Sequence, residues 1–129
     1  VDQNKSTGKR ILMMEDEDVF IEMFGDILKK DGHEIEFVKN GAKGLKRAIE
    51  EKFDLFIIDS ILPTITGEEI IQQIKLDEKI KKTPIIVLSA SFEGDISQKV
   101  KELQVNSFFI KTQITPAELS KEVKKILAK

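Results

Sequence analysis

Short apolar runs alternate with longer stretches of helical spacing along this chain. Ile11-Leu12-Met13-Met14 is followed at once by the acids Glu15-Asp16-Glu17-Asp18. A run this short suits a buried strand better than a helix. Val19, Phe20, Met23, Phe24, Ile27 and Leu28 then recur at helical spacing, with Asp18 as the expected N-cap and Gly32 near the residue that ends the helix. Glu34–Val38 mostly alternates, as a half-exposed outer strand should. Asn40-Gly41 reads as a turn, and Ala42, Leu45, Ala48 and Ile49 as the narrow stripe of a second helix. Leu55–Ile58 lies between Asp54 and Asp59 and predicts a strand covered on both faces. Pro63 and Gly67 mark a loop, after which a third helix runs from about Gly67 to Asp77 and buries Ile70, Ile71 and Ile74.

The charged segment Asp77–Lys82 is a solvated connection. Pro84 opens a fourth strand, Ile85–Leu88, ending at Ser89. Glu93–Leu103 predicts a helix with Ile96, Val100 and Leu103 inward, and Ser107–Ile110 a fifth strand ending at Lys111. Thr115-Pro116-Ala117-Glu118 is the clearest helix start: Thr115 caps, Pro116 takes the first turn and Glu118 closes a capping box. Leu119, Val123, Ile126 and Leu127 give this last helix its buried stripe.

Strict alternation of strand and helix predicts an α/β fold: a doubly wound (βα)5 domain around a five-stranded parallel sheet, with right-handed crossovers. The edge-like second strand suits the order 2-1-3-4-5, which places the switch point at the C-terminal ends of strands 1 and 3. Residues 1–8 read as a polar tail and residues 9–129 as the domain. At 129 residues, 40% apolar and 34% charged, the chain is long enough to bury a core without metals or disulfides. Its net charge of −2 gives no nucleic-acid footprint. No cysteine and one histidine, His33, exclude thiolate nucleophiles, cysteine zinc sites and His-rich metal sites. No apolar run approaches the ~20 residues of a membrane helix, and Ile11–Met14 is shorter than the ~7–15 residues of a signal-peptide core, so a cytoplasmic protein is expected.

The strand ends carry the chemistry. Strand 1 delivers Glu15 and Asp16 to one rim, strand 3 Asp59, strand 4 Ser89 and strand 5 Lys111. Each alone is ordinary: acids cap helices, a serine ends a strand, a lysine is solvated. Together, three carboxylates in one crevice cannot all stay ionised without a cation. A hard divalent ion such as Mg2+ fits, since it takes one or two carboxylates plus waters and a phosphate. A lysine and a hydroxyl opposite are donors for phosphoryl oxygens. Asp59 is then the natural nucleophile, forming an aspartyl-phosphate.

The motifs MMEDED after strand 1, FIIDSILPTITG around strand 3, PIIVLSA on strand 4 and FFIK on strand 5 resemble those of the receiver domain of two-component response regulators, over about Lys9 to the C-terminus. The resemblance implies a flavodoxin-like, CheY-like three-layer sandwich. It implies Asp59 as phosphoacceptor and Glu15, Asp16, Asp59 and the backbone carbonyl of Ile61 as Mg2+ ligands. Lys111 is implied as the lysine pairing with the phosphate, with Ser89 and Phe108 as the switch pair that reshapes the face of the fourth helix, fifth strand and last helix. A sensor histidine kinase or phosphotransfer protein is the implied donor. A downstream protein is the target, and the chain a monomer or phosphorylation-dependent dimer without membrane or direct nucleic-acid contact. The implied role is a phosphoacceptor, with at most slow self-phosphorylation and self-dephosphorylation, and not an enzyme. With no output domain after the last helix, a stand-alone regulator or a receiver taken from a longer protein is expected.

Several positions depart from the family pattern. Thr112, not proline, follows Lys111; Phe108 replaces the frequent tyrosine; Ile61 and Ser91 are uncharged where side chains tune water access; Gln104 sits where glycine is frequent. The alternatives come from other classes. A pseudo-receiver would keep the fold without phosphorylation. A small aspartate-nucleophile phosphatase would need a second aspartate where Ile61 stands. A flavin-binding protein of similar fold would need a phosphate-cradling loop after strand 1.

Overall fold

The computed structural model describes residues 9–90, 99 and 101–128. Five parallel strands form one sheet in the order β2-β1-β3-β4-β5. They are β1 (Arg10–Met14), β2 (Glu34–Val38), β3 (Leu55–Asp59), β4 (Ile85–Ser89) and β5 (Ser107–Ile110). The helices α1 (Asp18–Lys30), α2 (Gly41–Glu50) and α3 (Gly67–Leu76) and the C-terminal helix (Pro116–Leu127) cover it. This is the predicted architecture and strand order.

The alternation of strand side chains divides the core in two. Ile11, Met13, Leu55, Ile57, Ile86 and Leu88 pack with Phe24 and Leu28 of α1 and Leu119 and Val123 of the C-terminal helix. Leu12, Met14, Phe56, Ile58, Ile85 and Val87 pack with Ala48 of α2 and Ile70, Ile71 and Ile74 of α3. Both faces of the central strands are therefore dry, which explains why β1, β3 and β4 read as unbroken apolar runs.

Local signals set the helix ends, with two corrections. The N-cap of α1 is Glu17, not Asp18, and its side chain makes no capping bond; its carboxylate is spent on Lys111 instead, at 2.9 Å. At the other end Gly32, at φ 94°, sends its N–H to Lys29, and His33 sends its N–H to Leu28. That pair of bonds is the glycine-ended motif expected there. Asn40-Gly41 is a cap and not a free turn: the Asn40 side chain accepts from the Lys43 N–H at 3.0 Å.

The buried face of α2 also differs from the expected stripe. Gly41, Gly44 and Ala48 are its buried residues, Gly44 against Met14 and Val38 of the sheet and Gly41 against Ile65 and Ile70; Leu45 packs at the margin of the core, Ala42 is exposed and Ile49 is 45% exposed. The helix lies too close to β1 for large side chains, since a Cβ on Gly44 would come within 2.7 Å of the Met14 sulfur. In the C-terminal helix both halves of the Thr115–Glu118 capping box are formed.

Most of the predicted helix over Glu93–Leu103, including Ile96 and Val100, lies outside the described residues, as does Ser91. Lys99, Lys101 and Glu102 are helical, and Leu103 packs on the α2–α3 side of the core. The chain then turns through Gln104 at φ 61°. A left-handed backbone at a residue other than glycine costs about 1 kcal/mol or more, so this turn keeps a glycine-like shape against the preference of its residue. Among the described residues no peptide bond is cis, so Lys111–Thr112 is trans. No described helix is long and apolar enough to cross a membrane.

Candidate functional site

Glu15, Asp16, Asp59, Ser89 and Lys111 sit at or just beyond the ends of their strands, Ile61 lies in the loop after β3, and Phe108 lies within β5. β1 ends at Met14, and the next residue, Glu15, is held by its N–H on the Val38 carbonyl at 3.0 Å and is 1% exposed. The chain turns away immediately, leaving Asp16 and Glu17 exposed at the rim, while the Glu17 N–H bonds back to the Glu15 carboxylate at 3.0 Å. Asp59, the last residue of β3, is 4% exposed, and its Oδ1 accepts the Ile61 N–H at 3.0 Å. That bond turns the Asp59 carboxylate into the crevice and leaves the Ile61 side chain outside, 60% exposed.

The loop after Asp59 is locked under the start of α3. A Cβ on Gly67 would lie 2.5 Å from the Asp59 carbonyl oxygen and 2.8 Å from the Ser60 Cα, so only glycine allows this approach. The Gly67 N–H donates to the Ser60 carbonyl at 2.9 Å, and Thr66 caps α3 with a complete capping box. Asp59 therefore stands on a short, braced corner.

Lys111 closes the site. Its backbone N–H continues the β5 ladder onto the Ser89 carbonyl at 2.8 Å, and the side chain is 3% exposed. Its Nζ donates to Asp59 Oδ2 at 2.8 Å, to Glu17 Oε2 at 2.9 Å and to the Glu15 oxygens at 3.0 and 3.1 Å. The same ammonium lies 4.6 Å from the centre of the Phe20 ring, within cation–π range. Burial alone would lower the Lys111 pKa, but the bonds to Asp59, Glu17 and Glu15 outweigh it and hold the group charged. One cation does not neutralise the acids around it. Burial, and next the charge of Asp59, push Glu15 up to about 7 against the bonds from Glu17 and Lys111.

Ligand oxygens of Glu15, Asp16, Glu17 and Asp59 all lie within 4.8 Å of one another. Carboxylates at that spacing, with excess negative charge and one edge open to water, match a hard, oxygen-liking divalent cation. The structure thus brings Glu15, Asp16, Asp59, Ser89 and Lys111 to one rim. Ile61 is beside them through its backbone. Phe108 lies one strand further out, paired with Val87 and packed on the α2–α3 side of the core.

Two residues join the site that sequence reasoning did not assign to it. Glu17 is the third carboxylate on Lys111; its signal was the four-acid run, which needs a cation among its members. Ser60, buried beside Ser89, became visible only once β3 and β4 were in register.

The model of the response regulator receiver domain matches residues 11–124. The polar-differentiation response regulator DivK of Brucella anthropi is 30% identical over 88 residues, 67% of this chain and 72% of DivK. The phosphate regulon transcriptional regulatory protein PhoB of Pseudomonas aeruginosa is 32% identical over 121 residues, 93% of this chain and 52% of PhoB, so the chain spans about half the length of that relative. The receiver domain of the sensor histidine kinase PA1611 from Pseudomonas aeruginosa PAO1, solved with a magnesium ion in its active site cleft, shares the fold. It superposes with a TM-score of 0.86 at 23% identity, over 95% of this chain and 100% of that one. The family match spans the same strand ends that carry the acids, the hydroxyl and the lysine, and on that ground this chain belongs to the response regulator receiver domain family.

Proposed function

We propose that this domain accepts a phosphoryl group on Asp59 from a sensor histidine kinase or phosphotransfer protein and signals the change to a partner protein. The observation that carries the reading is the Lys111 ammonium, bonded to Asp59 at 2.8 Å in a crevice of four gathered carboxylates. In the reaction one carboxylate oxygen of Asp59 attacks phosphorus, the bond from phosphorus to the donor nitrogen breaks, and a mixed anhydride remains. Asp59 is bonded through Oδ1 to the Ile61 N–H and through Oδ2 to Lys111, so its plane is fixed before attack. Lys111 is placed to exchange carboxylate partners for a phosphoryl oxygen.

Glu15, Asp16, Asp59 and the Ile61 carbonyl would hold Mg2+, with Glu17 at the open edge. The bound ion would offset the charge of the incoming phosphoryl group. The receiver of PA1611, which shares the fold, holds magnesium in its cleft. The chain is read as a phosphoacceptor and not as a turnover enzyme, since the position two residues after Asp59 is Ile61 and offers no general acid.

Ser89 and Phe108 are read as the switch pair. Register places them on one sheet face, with Val87 opposite Phe108 and Ser89 two residues further along β4. A turn of the Ser89 hydroxyl toward the phosphoryl group would change what Phe108 packs against. The signal would leave through β5 and its neighbours, where Val105, Phe108 and Phe109 are only partly buried. Intact mass after incubation with acetyl phosphate tests the reading. One phosphoryl adduct is expected with Mg2+ and little or none after chelation. No adduct under either condition would replace this reading by a receiver fold that binds without being phosphorylated.

A further inference from the structure

Ser60 follows the acceptor aspartate and is 6% exposed; Ser89 is 2% exposed. Pairing of Asp59 with Leu88 in β3 and β4, continued by the Ser60 N–H on the Leu88 carbonyl at 3.0 Å, sets Ser60 and Ser89 side by side. Partnered residues of adjacent strands point to the same face, and the Ser60 hydroxyl donates to the Ser89 hydroxyl at 3.1 Å. The Ser60 backbone cannot drift, because Gly67 is packed on its Cα and bonded to its carbonyl.

We propose that Ser60 is a latch on the switch hydroxyl: its bond to Ser89 holds that side chain in the resting position. The inference rests on the functional reading above, in which Ser89 turns toward a phosphoryl oxygen. When Ser89 turns, the buried Ser60 hydroxyl loses this acceptor. A buried hydroxyl deprived of its partner costs more than the bond contributed, so the switched state carries a penalty that the resting state does not. Ser60 is a positioning residue, acting through Ser89 and not on the phosphoryl group. Its effect is to make this receiver harder to switch than the same site with an apolar residue after the aspartate.

Binding of beryllofluoride, a phosphoryl mimic, to the full chain in Mg2+ tests the latch in wild type, Ser60→Ala and Ser60→Thr, read by calorimetric titration. Removing the hydroxyl is expected to tighten binding about five-fold, the size of one typical net hydrogen bond. The metal-free Ser60→Ala protein should meanwhile melt at the same or a lower temperature. Tighter binding without added stability is a pairing that simple loss of packing does not produce. Ser60→Thr keeps the hydroxyl and should return to the wild-type affinity; the cavity of about 100 Å³ lined by Ser60, Gly67, Ile71 and Val87 gives the extra methyl room. Equal or weaker binding by Ser60→Ala, or a threonine variant that behaves like the alanine one, overturns the latch while wild-type binding leaves the functional reading standing. A wild type that takes neither beryllofluoride nor phosphate overturns both.

Discussion

Lys111→Met is expected to destabilise the metal-free protein by about 3–5 kcal/mol, the usual cost of removing one partner from a buried charge cluster. Methionine fills much of the lysine stem's volume, so the loss would come from charge and not from a cavity. Glu15 and Asp59, 1% and 4% exposed, would then face each other and Glu17 with no cation between them. Total stabilities of such domains are about 5–15 kcal/mol, so a loss of this size is plain in a urea titration. Mg2+ should restore more stability to the variant than it adds to the wild type, since the ion would supply the missing positive charge. A change under about 1 kcal/mol, as for a solvated surface lysine, would show that the cluster does not depend on Lys111.

Asp59→Asn is expected to abolish labelling by acetyl phosphate while leaving the fold intact. The amide oxygen still accepts from the Ile61 N–H or from Lys111, but the nucleophilic carboxylate is gone. A second readout follows from the charge on Glu15. Its folded pKa of about 7 lies above the unfolded value near 4.5, so between those values the folded state binds the extra proton. Metal-free stability from this group is therefore greatest below about 4.5 and declines as pH rises through about 7. Burial is the larger cause of the shift and Asp59 the next. The asparagine variant should keep the direction of the decline but make it shallower, as measured by urea midpoints at several pH values without Mg2+. Stoichiometric labelling of Asp59→Asn would remove the assignment; an unchanged pH slope would mean that Asp59 and Glu15 are not coupled.

The site was legible because strand ends were legible. Apolar runs in a doubly covered sheet stop where the strand leaves the core, so the sequence alone places Glu15, Asp59, Ser89 and Lys111 at one rim. Residues whose roles depend on neighbours distant in sequence were harder. Asp18 looked like a cap because caps are read locally; Glu17 takes that position, its carboxylate drawn instead to a lysine 94 residues away. Ile49 looked inward because it is apolar, yet the closeness of α2 to Met14 at Gly44 and to Ile65 at Gly41 leaves the inner face to Gly41, Gly44 and Ala48. Ser60 carries no signal of its own in the sequence, and only register against Ser89 gives its hydroxyl a partner. The departures at Gln104 and Thr112 were visible as residue types, and the cost of a cis bond before a residue other than proline already pointed to a trans Lys111–Thr112 bond, but the left-handed backbone of Gln104 was not visible.

The most direct test of Asp59 as phosphoacceptor is chemical mapping of the modified residue. After incubation with acetyl phosphate and Mg2+, borohydride reduces an aspartyl-phosphate to homoserine and releases phosphate, and peptide sequencing by mass spectrometry locates the change. The account predicts homoserine at position 59 and nowhere else. Homoserine at another carboxylate, or an unmodified Asp59 in protein that carries a phosphoryl group, would contradict it.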